Sequence, residues 1–144
     1  LVRRAGPADL DRVVAMNRTF CELDHHPFDE HRVRTAFVPL LADDTHGVVW
    51  VTDDPESYAV LTWGWSIEAG GLEAVLDEIF VSERGNGHGS VLIDHLVADA
   101  TQRGLARIFL ETESHNERAR GFYARHGFVV DDSIWMSREF TDLS

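Results

Sequence analysis

Residues 83–92 read ERGNGHGSVL, with Gly85, Gly87 and Gly89 at every second position before an apolar, helix-like run. Glycine is poor inside a helix, and a plain loop does not need three. The helical spacing of Leu92, Ile93, Leu96, Val97 and Ala100 starts where the glycines end. A helix N-terminus presents unpaired N–H groups and a partial positive charge. Glycines let that backbone approach an anion closely, which is the physical arrangement of a phosphate cradle. Two familiar nucleotide loops fail here. A Walker loop needs Gly-Lys-Ser/Thr, and a dinucleotide fingerprint counted from Gly85 puts Ser90 where its last glycine belongs. From these residues alone, a flexible strand-to-helix turn remains the alternative.

Upstream of this loop, Val2 to Ala5 reads as a short strand. Pro7 is placed to open a helix that runs to about Phe20 through Leu10, Val13, Val14 and Asn17. Asp24 to Asp29 is a polar, histidine-rich loop. Val33, Phe37, Leu40 and Leu41 mark a second helical stripe, which Pro39 is expected to kink or end early. Gly47 to Thr52, Ser57 to Glu68 and Leu72 to Val81 are strand-like, with Ala69-Gly70-Gly71 as a turn, and predict an antiparallel meander. Downstream, Gly104 stops the helix that begins at Gly87, and Ala106 to Glu111 is a strand. Asn116 caps a helix from Glu117 to His126, and Phe128 to Val130 and Ile134 to Phe140 are expected to be final strands. The order β-α-α-β-β-β-α-β-α-β-β predicts a mixed α/β (α+β) fold. No repeat or linker divides the 144 residues, so one domain over 1–144 is expected.

The formal net charge of −12 argues against a nucleic-acid binder, which needs basic surface. It suits an amine-bearing partner, although solubility alone accounts for much of it. No apolar run reaches membrane-spanning length, and no secretory signal is visible. The chain begins at Leu1 rather than Met, so a few preceding residues are expected. Cys21 is the single cysteine; it excludes an internal disulfide and fits a cytoplasmic location. Asp24, His25, His26, Asp29, Glu30 and His31 include metal-ligand types, but their spacing matches no tight motif. A solvated loop is the expectation, with no metal.

The spacing Arg84-Gly85-Asn86-Gly87-His88-Gly89 fits R/Q-x-x-G-x-G/A and closely resembles the pyrophosphate loop of the GNAT superfamily of acetyl-CoA-dependent N-acetyltransferases. LDEIFV (Leu76 to Val81) is similar to that family's central strand. ETESHNERARGFYARHGF (Glu111 to Phe128) is similar to its asparagine, helix, Tyr and Gly-Phe signature. The element order matches over nearly the whole chain.

The resemblance implies that acetyl-CoA is the co-substrate. Its pantetheine amides would bond to backbone at Phe80 and Val81. Its pyrophosphate would be held by backbone N–H groups in the region Asn86 to Val91, with Arg84, Gly85, Asn86, Gly87, His88, Gly89, Ser90 and Val91 as the cofactor-binding residues of the loop. Asn116 matches the family's cofactor-contacting asparagine, with a plain N-cap as the alternative. Tyr123 matches the tyrosine beside the cofactor sulfur, with a core-edge aromatic as the alternative. Glu78 and Glu111 match two positions at which members carry a catalytic carboxylate. Glu78 is preferred, and Glu113 ranks third. In such a reaction the amine must lose a proton, because a lysine-like amine is neutral only on the order of one part in a thousand near pH 7. A base is therefore needed. Protonation of the departing thiolate by a tyrosine is uphill by only about 2 kcal/mol.

Strand alternation places Glu78 and Phe80 on one face, with Asp77, Ile79 and Val81 on the other. Trp63 and Trp65 share a face and are expected to pack in the core, with an acceptor-pocket wall as the alternative. The loop with His25, His26 and His31 is expected near the acceptor. Within it, LDHHPF (Leu23 to Phe28) is similar to a stretch of aminoalkylphosphonate acetyltransferases, although a charge of −12 sits awkwardly with an anionic substrate. The expected acceptor is a small-molecule primary amine. A protein or peptide amine, or a silent CoA-binding sensor, are the rivals, and a homodimer is common in the family.

Overall fold

Between Gly47 and Val81 the β-branched and aromatic stretches are broken at Asp54-Pro55 and at residues 67–70, and the chain forms three long strands joined by short turns. The structure is a computed structural model that describes residues 1–140, in two compact units, Leu1–Glu111 and the segment from Thr112 onward. The first unit holds a five-stranded sheet in the order β1 (Arg3–Arg4), β2 (Gly47–Asp53), β3 (Glu56–Ser66), β4 (Gly71–Val81) and β5 (Ile108–Phe109). The first three pairings are antiparallel and β4–β5 is parallel.

A short 3₁₀ turn at Pro7–Asp9 leads into α1 (Leu10–Leu23), and α2 (Glu30–Ala42) follows after the histidine loop. Asp29 caps α2 by accepting the Arg32 N–H at 3.1 Å. Val13, Val14 and Met16 of α1, with Phe37 and Leu41 of α2, bury against Val49, Val51, Tyr58, Val60 and Phe80 on one sheet face. The intervening residues Val48, Trp50, Ala59 and Leu61 are also buried. They point to the other face by alternation, where α3 (His88–Arg103) packs, with His95 edge-on to Trp50 at 4.4 Å. Gly104 ends α3 with φ +74°, a left-handed conformation that glycine adopts at little cost.

The second unit carries α4 (Glu117–Arg125), capped by Asn116, whose side chain accepts the Ala119 N–H at 3.1 Å. Among the described residues no helix is long and apolar enough to cross a membrane.

Several expectations are corrected. Pro39 does not end α2, which continues to Ala42; proline lies near its C-terminal end and on an exposed position, while Phe37 and Leu41 hold the turn in the core. The strand expected at Ala106 to Glu111 pairs only over Ile108–Phe109. The strands expected at Phe128–Val130 and Ile134–Phe140 are not formed among the described residues. Val129, Ile134 and Met136 there are 89–92% exposed. A strand is defined by its neighbour rather than by propensity, and this stretch forms no ladder among the described residues. Trp63 and Trp65 do not enter the core. Trp65 is 78% exposed, and Trp63 donates to the Asp44 carbonyl at 2.7 Å beneath the Arg103 guanidinium.

The β2–β3 pairing tolerates no side chain at Gly47, where a Cβ would run into the Leu61 carbonyl and lie 2.9 Å from Thr62 Cα. At Gly64 the nearest atoms belong to the flexible Glu73 side chain, at 3.6 Å. Gly47→Ala is therefore expected to cost about 1–3 kcal/mol in urea unfolding, with Gly64→Ala costing less. Equal costs would show that the close approach at Gly47 is relieved by the backbone.

Candidate functional site

The centre of the first unit's chemistry is an irregularity in β4. Val60 pairs with Glu78, but Leu61 pairs with Leu76, so Asp77 is an extra residue in β4. Such a β-bulge resets the two-residue alternation. The expected placement of Asp77 and Glu78 on opposite faces is thus corrected: both line one pocket, with Asn17 of α1, Arg32, Val33, Ala36, Phe37 and Leu40 of α2, and Val60 of β3.

Glu78 is held firmly there. Its Oε1 accepts the Tyr58 hydroxyl at 2.6 Å and the Asn17 amide at 2.9 Å. Asn17 is 3% exposed and Tyr58 is fully buried, its ring against Phe37 and Phe80. Glu78 Oε2 makes no hydrogen bond among the described residues. Burial pushes the Glu78 pKa up, the nearby Asp77 charge adds to this, and the Tyr58 and Asn17 hydrogen bonds oppose it. Asp77 stands at the exposed rim, its pKa raised by lost hydration. The Tyr58 hydroxyl is pushed far up by burial and by the Glu78 charge, so it stays a proton-bearing donor.

Sequence reasoning did not assign roles to Tyr58, Asn17 or Asp77. Asn17 did carry a signal: it is a polar residue on the buried stripe of α1.

Beyond the bulge, β4 parts from β5. The two pair only at Ala74–Ile108 and Val75–Phe109. From Leu76 to Val81 the β4 edge that faced β5 has no strand partner among the described residues, so its peptide groups can bond an extended chain. A second cleft lies at the end of this stretch, lined by Phe20, Leu23 and Asp24 of α1, Ile79, Phe80 and Val81 of β4, and Arg84. Cys21 donates weakly to Asn17 Oδ1 at 3.6 Å, and burial raises its pKa.

The glycine loop then turns into α3. Gly85 and Gly87 have φ +87° and +77°, and Gly87 is the N-cap of α3. Left-handed backbone at both positions explains two of the three glycines. A Cβ at either would meet no atom within 4 Å, so that side of the loop is open. Gly89 lies in the first turn of α3, with His88 and Ser90 on either side and Val91 bonding back to Gly87. No side chain caps this N-terminus and no acidic residue lies in its first turn, which leaves its N–H groups and positive dipole end for an anion. Asn86 sits exposed between the two left-handed glycines.

Glu111 is exposed and ends the first unit, two residues past β5. In the second unit Glu113 is exposed, with its carbonyl and that of Ser114 accepting from Arg120. Asn116 spends its Oδ1 on the helix cap, leaving its amide N–H groups without a partner among the described residues. Tyr123 packs edge-on to Phe122 and Phe128, with ring centroids at 5.2 and 5.8 Å. Its hydroxyl has no hydrogen bond among the described residues, and burial raises its pKa.

The histidine loop is exposed. His25 has φ +55°, and His26 Nε2 lies 2.9 Å from Asp24. Among the described residues no three His, Cys, Asp or Glu side chains are grouped to hold a metal ion.

Known proteins share this architecture. A rice (Oryza sativa subsp. japonica) protein, serotonin N-acetyltransferase 2, chloroplastic, is 32% identical over 134 residues, or 90% of this chain; the chain spans 62% of the length of that relative. An integron cassette protein from the mobile metagenome of Cole Harbour Salt Marsh superposes with a TM-score of 0.86 at 25% identity, over 98% of this chain and 91% of its own. An Arthrobacter sp. FB24 protein assigned to the acetyltransferases gives 0.84 at 27% identity, over 97% of this chain and 96% of its own. A Clostridium difficile 630 protein, similarly assigned, gives 0.87 at 19% identity over 99% and 98%, a likeness of fold alone. The model of the acetyltransferase (GNAT) family matches residues 13–128, and the chain belongs to that family.

Proposed function

We propose that this protein transfers the acetyl group of acetyl-CoA to the primary amine of a small molecule by direct attack on the thioester. The observation that carries the reading is the state of Glu78. It is a half-buried carboxylate with one oxygen tied to Tyr58 and Asn17 and the other without a hydrogen bond among the described residues, in a pocket at the strand whose far edge beyond Val75 has no strand partner among them. Family membership supplies the reaction type. The rice relative's named acceptor, serotonin, is itself a small primary amine.

In this reading Glu78 Oε2 takes the proton that the amine must lose. Burial raises its pKa, which makes it a stronger base than an ordinary carboxylate. The acetyl donor brings the activated thioester carbonyl; the amine nitrogen forms a bond to that carbon as the carbon–sulfur bond breaks. Tyr123 supplies a proton to the sulfur, so the products are an amide and a free thiol. Its half-buried hydroxyl has no hydrogen bond among the described residues. The loop from Gly85 to Val91, through those of its backbone N–H groups that are not bonded within α3, and the α3 dipole receive the donor's pyrophosphate, and the peptide groups at Phe80 and Val81 receive its amide arm. The amide N–H groups of Asn116 are free for the same ligand.

Thiol release from acetyl-CoA across amines, amino acids, polyamines and peptides tests the reading. Tight acetyl-CoA binding without thiol release from any acceptor would point to a sensor instead. Glu78→Gln is expected to lower kcat by about 10²–10⁴-fold, and Tyr123→Phe to lower it at saturating substrates. Full turnover in either variant would remove that residue's role, and loss in Glu111→Gln but not in Glu78→Gln would move the base to Glu111.

The pH dependence has a defined sign. The base works ionised, so kcat/KM falls as pH drops through the Glu78 pKa, above the ordinary carboxylate range. Tyr58→Phe deletes a hydrogen bond that favours the ionised form, so the acidic limb should move up by about one pH unit. A limb that stays put would separate Glu78 from the observed titration.

A further inference from the structure

Resting on the acetyl-transfer reading, we propose that the acceptor is a zwitterion: a primary amine joined through a short spacer to an anionic group such as a carboxylate or phosphonate. The juxtaposition behind this is Arg32 on one wall of the pocket, with Asp77 and Glu78 on another.

Acids outnumber bases 25 to 13 in this chain, and every one of those bases is an arginine. Among the described residues six of the thirteen arginines, Arg3, Arg12, Arg18, Arg34, Arg103 and Arg107, form ion pairs. On the two helices that roof the pocket, Arg12 pairs with Asp53 and Glu56, Arg18 with Glu30, and Arg34 with Asp11 and Glu30. Arg32 alone among these has no ion pair or side-chain hydrogen bond among the described residues. It borders a pocket whose other walls, Val33, Ala36, Phe37, Leu40 and Val60, are apolar. A guanidinium there is a preorganised fork for an oxyanion.

The pocket is open to solvent on one side and its volume is about 140 Å³. An apolar cavity of about 150 Å³ holds benzene, so the space between the charged walls suits a compact spacer. Asp77 at the rim attracts the ammonium end, and Glu78 removes its proton, while Arg32 fixes the other end. A diamine would set its second cation against Arg32, and a monoamine with no anionic group would leave that guanidinium unused. The net charge of −12 does not oppose this, because the pocket's own charges are of both signs.

The test compares kcat/KM for β-alanine, 2-aminoethylphosphonate, propylamine and 1,3-diaminopropane in the wild type, Arg32→Gln and Arg32→Lys. At least one zwitterion should exceed propylamine by about tenfold or more, chiefly through KM. That ratio should collapse in Arg32→Gln and recover in part in Arg32→Lys. The carboxylate and phosphonate arms identify the anion. The proposal is overturned if propylamine or the diamine is preferred, or if the ratio survives in Arg32→Gln. Thiol release from none of the four or any other amine, with acetyl-CoA still bound, would instead defeat the acetyl-transfer reading itself.

Discussion

One extra residue in β4 governs the arrangement of this molecule's reactive groups. Opposite the Val60–Leu61 step the ladder skips Asp77, and both carboxylates turn into the space under α1 and α2. In a regular strand Asp77 and Glu78 would lie on opposite faces. Bulges also bend the strand that carries them, and here the bulge lies just past the two pairs that join β4 to β5. The free backbone edge and the turned carboxylate thus occur in one stretch of six residues. The glycine loop continues directly from that stretch into α3.

The cost of this arrangement falls on Glu78, and Tyr58 and Asn17 offset it. A buried carboxylate is unfavourable unless its oxygens are satisfied. Two donors from opposite layers, β3 and α1, serve one oxygen and leave the other free. A single-ended grip of this kind fixes the carboxylate plane without neutralising it. Because Tyr58 also packs against Phe37 and Phe80, the donor is positioned by the same core that joins the helices to the sheet. Stability and site geometry are therefore linked at Tyr58.

Much of this could be read in the residues because it rests on local rules. Gly104 and Asn116 terminate and begin helices through their own conformation and side chain. Gly85 and Gly87 lie in the turn into α3 where the glycine run placed it, and both take left-handed backbone there. The features that escaped depend on a partner elsewhere in the chain. Asp77 becomes the bulged residue only through register with Val60 and Leu61, which strand alternation does not encode. Trp63 stays out of the core because Asp44 and Arg103 meet it at the edge. The apolar run from Val129 to Phe140 has the composition of a strand but no ladder among the described residues. The unpaired state of Arg32 could be seen only after the other arginines of its helix pair had found their acids.

A crystal structure with CoA bound tests the central claim most directly. The account predicts an extended pantetheine arm along the open β4 edge between Leu76 and Val81, with its amides bonded to strand peptide groups. The pyrophosphate would lie on the loop from Gly85 to Val91, and the sulfur at the Glu78 end of the arm. CoA bound away from β4, or with its sulfur directed away from Glu78, would contradict it.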